Sequence, residues 1–117
     1  MSKPSSQRQN ITAIIKDKRG RVLSVGKNSY LKTHPLMFRL GQKHNLSEKV
    51  FLHAEVDAIV KCQDIEKAHT IEVYRVNKQG QYLASKPCPI CRSAVEKSPL
   101  RQLVYISKEG QAVLEKL

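Results

Sequence analysis

Tryptophan is absent from this chain of 117 residues, and only four tyrosines and two phenylalanines are present, so platforms on which nucleic-acid bases could stack are scarce. No apolar run approaches the roughly 20 residues that cross a bilayer, which argues against a spanning helix. The opening "MSKPSSQRQN" has no hydrophobic stretch behind its charges, unlike a secretory signal; the expectation is a soluble, cytoplasmic protein that engages no membrane. Cysteine is sparse as well. Three cysteines, two of them three positions apart, make no disulfide framework, and in a reducing compartment a CxxC is more often metal-binding or redox-active. Acidic residues are outnumbered, 10 against 21 Lys and Arg. Residues 1–50 hold 11 cations against Asp17 and Glu48, a formal +9, while residues 51–117 hold 10 against 8, or +2. Such an excess suits a polyanion, a phosphate-bearing substrate or a solvated face, and charge alone does not choose among them.

What is present reads as one compact unit over 10–117, with Met1–Gln9 as a flexible polar lead. "NITAIIKDKRGRVLSVG" carries two β-branched runs, Ile11–Ile15 and Val22–Val25, around a turn in which Gly20 can take a positive φ, so a hairpin is expected. "KNSYLKTHPLMFRLGQKHN" keeps neither period, and His34 before Pro35 is biased away from helix, which makes part of it loop. From about Ser47, Leu52, Val56, Ile59 and Val60 recur at the spacing of a buried helix face, and "CQD" ends the run. "TIEVYRV" (70–76) predicts a central strand and "CPICRSAVEK" a short helix with Pro89 in its first turn. "QLVYIS" predicts a strand buried on both faces, and "QAVLEKL" a final strand. The succession implies a sheet covered by helices, of α/β or mixed α+β class.

Two fragments do not fit a purely structural role. In "HAEVDAI" (53–59), His53 and Glu55 would lie about 200° apart on a helix, so both can face one group only at a helix start, where side chains tilt toward the N-terminal end. In "PCPIC" (87–91), Cys88 and Cys91 lie at i and i+3, one side of a helix start, where the dipole and nearby N–H groups lower a thiol's pKa; such a pair is half of a tetrahedral zinc site. His53 as third ligand leaves the fourth position for water, as in catalytic zinc sites. A carboxylate such as Glu55, near the water but not on the metal, can shuttle its proton. Taken alone, "PCPIC" would equally fit a redox CxxC or a structural zinc knuckle.

HxE followed by PCxxC resembles the signature of the zinc-dependent cytidine and deoxycytidylate deaminase superfamily. The order of elements is also similar to that fold, over about residues 10–107. The resemblance implies a three-layer α/β fold with a central mixed sheet of about five strands flanked by helices. It implies Zn2+ on His53, Cys88 and Cys91, Glu55 as general acid/base, and a pocket shaped by Ala54 and Pro87. Asn28 resembles the asparagine that holds the substrate's sugar, and His34 falls in what resembles a substrate loop. The implied reaction is hydrolytic deamination of a cytosine base, with water replacing the amine at C4 and ammonia leaving. A nucleoside or nucleotide is the first expectation for substrate, a single-stranded DNA or RNA the alternative, and a non-catalytic zinc module on nucleic acid the rival of another class. Oligomerisation with further copies is expected by resemblance only. The chain lacks the Glu-Pro-Cys start of tRNA adenosine deaminases, since Lys86 precedes Pro87, and lacks the paired Asn/Glu pattern of free-cytidine deaminases. Asp57 stands where deoxycytidylate deaminases often carry asparagine. Cys62, His44 and His69 read as ordinary side chains, Tyr30 and Phe38 as core or rim, and Lys27, Lys32, Arg39 and Lys43 as a basic surround of the loop.

Overall fold

The computed structural model describes residues 10–28 and 53–117, Ile90 by its backbone alone. Strands β1 (Asn10–Asp17) and β2 (Val22–Lys27) form the expected hairpin, and Gly20 takes φ +84° in its turn. Helix α1 (Ala54–Lys61) follows, then a 3-10 turn (Ile65–Lys67) and β3 (Ala68–Val76). The two-residue β4 (Tyr82–Leu83) leads to helix α2 (Pro89–Lys97), β5 (Gln102–Ile106) and β6 (Ala112–Lys116).

The sheet runs β2-β1-β3-β5-β6, with β4 on β3. All pairings are antiparallel except β3 with β5, which α2 connects as a crossover, so the sheet is mixed and the class α/β, as expected. β3 is central and "QAVLEKL" does end in a strand. Ala13, Ile15, Ile71, Val73 and Leu103 meet Ala54, Ala58 and Val95 in one cluster, which sets both helices on one face of the sheet. Burying side chains the size of Ile15, Ile71 and Leu103 stabilises by about 1.5–3 kcal/mol each.

Three expectations shift in detail. Described helix begins only at Ala54, with Leu52 and the stretch back to Ser47 outside the described residues. Val60, expected on the buried face, is 42% exposed, because small Ala54 and Ala58 are the residues that lie against the sheet. In β5, Leu103 and Tyr105 on the helix side are buried, while on the other side Ile106 is buried and Val104 half-buried, so the second face of that strand is sealed only in part. No described helix is long and apolar enough to cross a membrane.

Candidate metal centre

Each helix start is held by the sheet. Gly26 on β2 has no room for a side chain, since a Cβ there would run into Ala54 O and Ala58 N and lie 2.8 Å from Ala58 Cα. Beside it, buried Ser24 donates its hydroxyl to Ala58 O at 2.8 Å. Asp57, 5% exposed, accepts the Lys27 N–H at 2.9 Å and an ion pair from Lys61 at 2.9 Å. These contacts fasten α1 to β2 and give Asp57 a structural task. On the other side, the buried Ser85 hydroxyl donates to Val73 O and accepts from Ile106 N–H, both at 2.8 Å, and so fixes the segment that runs into α2.

The side chains at these starts converge. His53 is the N-cap of α1 and Cys88 the N-cap of α2, yet neither side chain makes a capping hydrogen bond. Pro89 occupies the first turn of α2, where its missing N–H costs nothing, and Cys91, fully buried, sits one turn inside. His53 Nδ1 lies 3.1 Å from Cys91 Sγ and 3.5 Å from Cys88 Sγ. All three donor atoms lie within 4.8 Å of one another, and they form the one such His, Cys and carboxylate group among the described residues. A tetrahedral zinc with two sulfurs and a nitrogen separates its donors by roughly 3.6–3.8 Å, so this donor set fits the ion with little adjustment. Glu55 belongs to the same corner: it is 5% exposed, and its carboxyl feels the charges of Cys88 and His53.

The model of the cytidine and deoxycytidylate deaminase zinc-binding region matches residues 1–107. The chain belongs to that family. In fold it is similar to the crystal structure of cytidine deaminase from Burkholderia pseudomallei, with a TM-score of 0.60 over 97% of this chain and 79% of that one, at 14% identity. No curated protein matches it in sequence.

For a member of a zinc-binding family, the electrostatics of the corner are consistent. Cys88 ionises first, its thiol held at about 4 chiefly by a hydrogen bond from Cys91, against the cost of burial and with His53 adding to the effect. Cys91 is pushed up by that same hydrogen bond and by burial. Burial also raises Glu55 above the ordinary carboxylate value.

Of the other residues singled out in the sequence, Ala54 is fully buried under the first turn of α1 and Pro87 is half-buried one residue before Cys88. Asn28 ends β2, its Oδ1 accepting the Ile11 N–H at 3.0 Å and its own N–H donating to Ile11 O at 3.3 Å, so the side chain extends the hairpin ladder. His34, Tyr30, Lys32, Phe38, Arg39, Lys43 and His44 lie outside the described residues. Cys62 is the buried C-cap of α1 and stands apart from the cluster. Half-buried His69 has its Nδ1 3.0 Å from Thr70 Oγ1 at the start of β3.

Arg75 escaped the sequence reading. It pairs with Ile11, which in turn pairs with Asn28, and by strand alternation it shares the helix-bearing face with Ile71 and Val73. Its Nε is buried with no hydrogen-bond partner among the described residues. Nothing in "EVYRV" marks that arginine, because only the register of β3 carries it to the end of the sheet where α1 starts.

Proposed function

We propose that this chain is a zinc-dependent hydrolytic deaminase that converts a cytosine base, as a nucleoside or deoxynucleotide, to uracil with release of ammonia. The observation that carries the reading is the meeting of His53, Cys88 and Cys91 at one point, with Glu55 buried two residues beyond His53, in a chain of this family. His53, Cys88 and Cys91 would hold the ion, three protein donors being the number that catalytic zinc sites use. When bound, zinc would supply a water made acidic enough to ionise near neutral pH.

Glu55 supplies the proton traffic. A carboxyl raised by burial can take a proton from water and still give it up, first to ring N3 and then to the amine that leaves from C4. Ala54 and Pro87 border the base, and Asn28, pinned by Ile11, stands at the strand end assigned to the sugar. An arginine nitrogen that is buried and unpartnered is costly unless a ligand satisfies it, so Arg75 favours a substrate that carries a phosphate. The scarcity of aromatics argues for a small substrate over a strand stacked across the site.

Ammonia release from cytidine, deoxycytidine, their monophosphates and single-stranded DNA and RNA tests the reading. Wild-type protein carrying one zinc and deaminating none of these would refute it and leave the non-catalytic zinc module in its place. With Glu55→Gln, retained zinc and a loss of about 10²–10⁴ in turnover are expected; full turnover would remove Glu55 from the mechanism.

A further inference from the structure

The end of the sheet away from the metal centre carries a second charged feature. An open hollow of ≈ 580 Å³ lies where three segments meet: the β1–β2 turn with Lys18, Arg19 and Arg21, the entry to β3 with Lys67 and His69, and the entry to β5 with Arg101. The register fixes its place. Asp17 pairs with Ala68 and Thr70 with Gln102 at this end, whereas Asn10 pairs with Val76 at the other. From His69 to Arg75 along β3 is about 20 Å, so the hollow is separate from the proposed active site and its character does not depend on that site.

Its charge is largely uncompensated. Asp17, one of two acids on the lining, is already taken: its carboxylate accepts from the Arg19 and Arg21 N–H groups and from Arg21 Nε, each at 2.9 Å. Lys18, Arg19, Lys67 and Arg101 form no ion pair with a described residue, which leaves four cations against Glu66. They stand on the neighbouring ends of β1, β3 and β5, a line about 10 Å long at the usual strand spacing. A single phosphate is too small to reach across that line. At a repeat of about 3.4 Å along a duplex strand, and more along an extended single strand, a nucleic acid brings two or three phosphates to it. The described lining holds no Phe, Tyr or Trp, and its one imidazole, His69, is half-buried with Nδ1 at Thr70 Oγ1, so the lining offers charge and little on which a base could stack.

We infer that this hollow is a docking site for the phosphodiester backbone of nucleic acid, read by charge and not by base. The test uses the zinc-loaded full chain and a fluorescein-labelled 20-nucleotide oligo(dT) in anisotropy titrations from 50 to 200 mM salt. Three phosphate contacts predict a slope near −2 in log K against log salt, about a 20-fold loss of affinity over that range. In Lys18→Ala/Arg19→Ala/Arg101→Ala the loss over the same range should shrink to about threefold, with binding at 50 mM salt at least tenfold weaker than wild type. The control Lys78→Ala/Lys86→Ala/Lys108→Ala removes equal charge at the opposite end of the sheet and should keep most of the slope. Single Lys67→Glu gives the same reading should the triple variant fold poorly. Equal losses in hollow and control variants, absence of binding by wild type, or equally effective competition by poly-glutamate would each overturn the inference. Deamination of free deoxycytidine, measured alongside, should be unchanged in the hollow variant; its absence from wild type would bear on the proposed activity and leave the docking result standing.

Discussion

Gly26→Ala tests how the metal centre is positioned. The added methyl would lie 2.8 Å from Ala58 Cα and closer still to Ala54 O and Ala58 N, where ordinary contact begins near 3.4 Å. Those atoms are backbone, so no rotamer can relieve the overlap, and α1 must retreat by at least about 0.6 Å (3.4 less 2.8). Retreat stretches the Ser24 to Ala58 and Lys27 to Asp57 hydrogen bonds. It also carries His53 away from Cys88 and Cys91, which α2 holds separately. Overpacking of this kind costs about 1–3 kcal/mol, and displacing one ligand by a fraction of an ångström should weaken zinc about 10–100-fold, as changes around a metal's ligands do. Urea unfolding of the metal-free protein measures the first effect and competition with a chromophoric chelator the second. Gly20→Ala is the control: that turn glycine has φ +84° and nothing within 4 Å of a Cβ, so the cost should be about 1 kcal/mol, local to the turn, with zinc affinity intact. If Gly26→Ala unfolds at the wild-type urea concentration and binds zinc as tightly, α1 does not rest on β2 in the way described.

Further outcomes follow from the same contacts. Asp57→Ala leaves the Lys27 N–H without its acceptor and should cost about 1–3 kcal/mol, while Asp57→Asn, whose carbonyl can still accept, should recover most of it; equal urea midpoints for the two would refute the structural role. Asp17 is held below its ordinary 3.8, first by the Arg21 N–H, so its stabilising effect is present above that value and lost as pH falls through the lower folded pKa. The stability gap between wild type and Asp17→Asn should therefore be full at pH 6 and shrink as pH falls below 3.8, as thermal melts across that range can show. His53→Ala, Cys88→Ser or Cys91→Ser should each lower zinc affinity more than about 100-fold, whereas Cys62→Ser, a residue whose thiol is pushed up by burial, should still bind one equivalent by metal analysis.

How much of this was legible beforehand depends on the range over which each feature is encoded. The hairpin, the strand at 70–76, the two helix starts and the terminal strand follow from local periods and turn residues within windows of some ten positions. The candidate metal ligands were legible because their chemistry is rare: a histidine and a glutamate are out of place on an amphipathic face, and two cysteines at i and i+3 have few other uses. Asp57 was not legible, since its partner, the Lys27 N–H, lies 30 positions away. One position of the buried helix face was misjudged for a related reason, while Val56 is buried and Ile59 packs against the core as expected. Hydrophobicity favoured Val60, but a glycine on β2 selected Ala54 and Ala58 by letting two backbones come close.

The chain by itself determined the kinds of element, their order and the donor set, because propensity, pattern and ligand chemistry act over short separations. Only the tertiary structure decided that His53 and the two cysteines share one point. It also set Arg75 at the end of the sheet where α1 starts and gathered Lys18, Arg19, Lys67 and Arg101 at the opposite one. Those outcomes depend on strand register and on the crossover from β3 to β5, which bring residues far apart in sequence within ångströms and which no local pattern specifies.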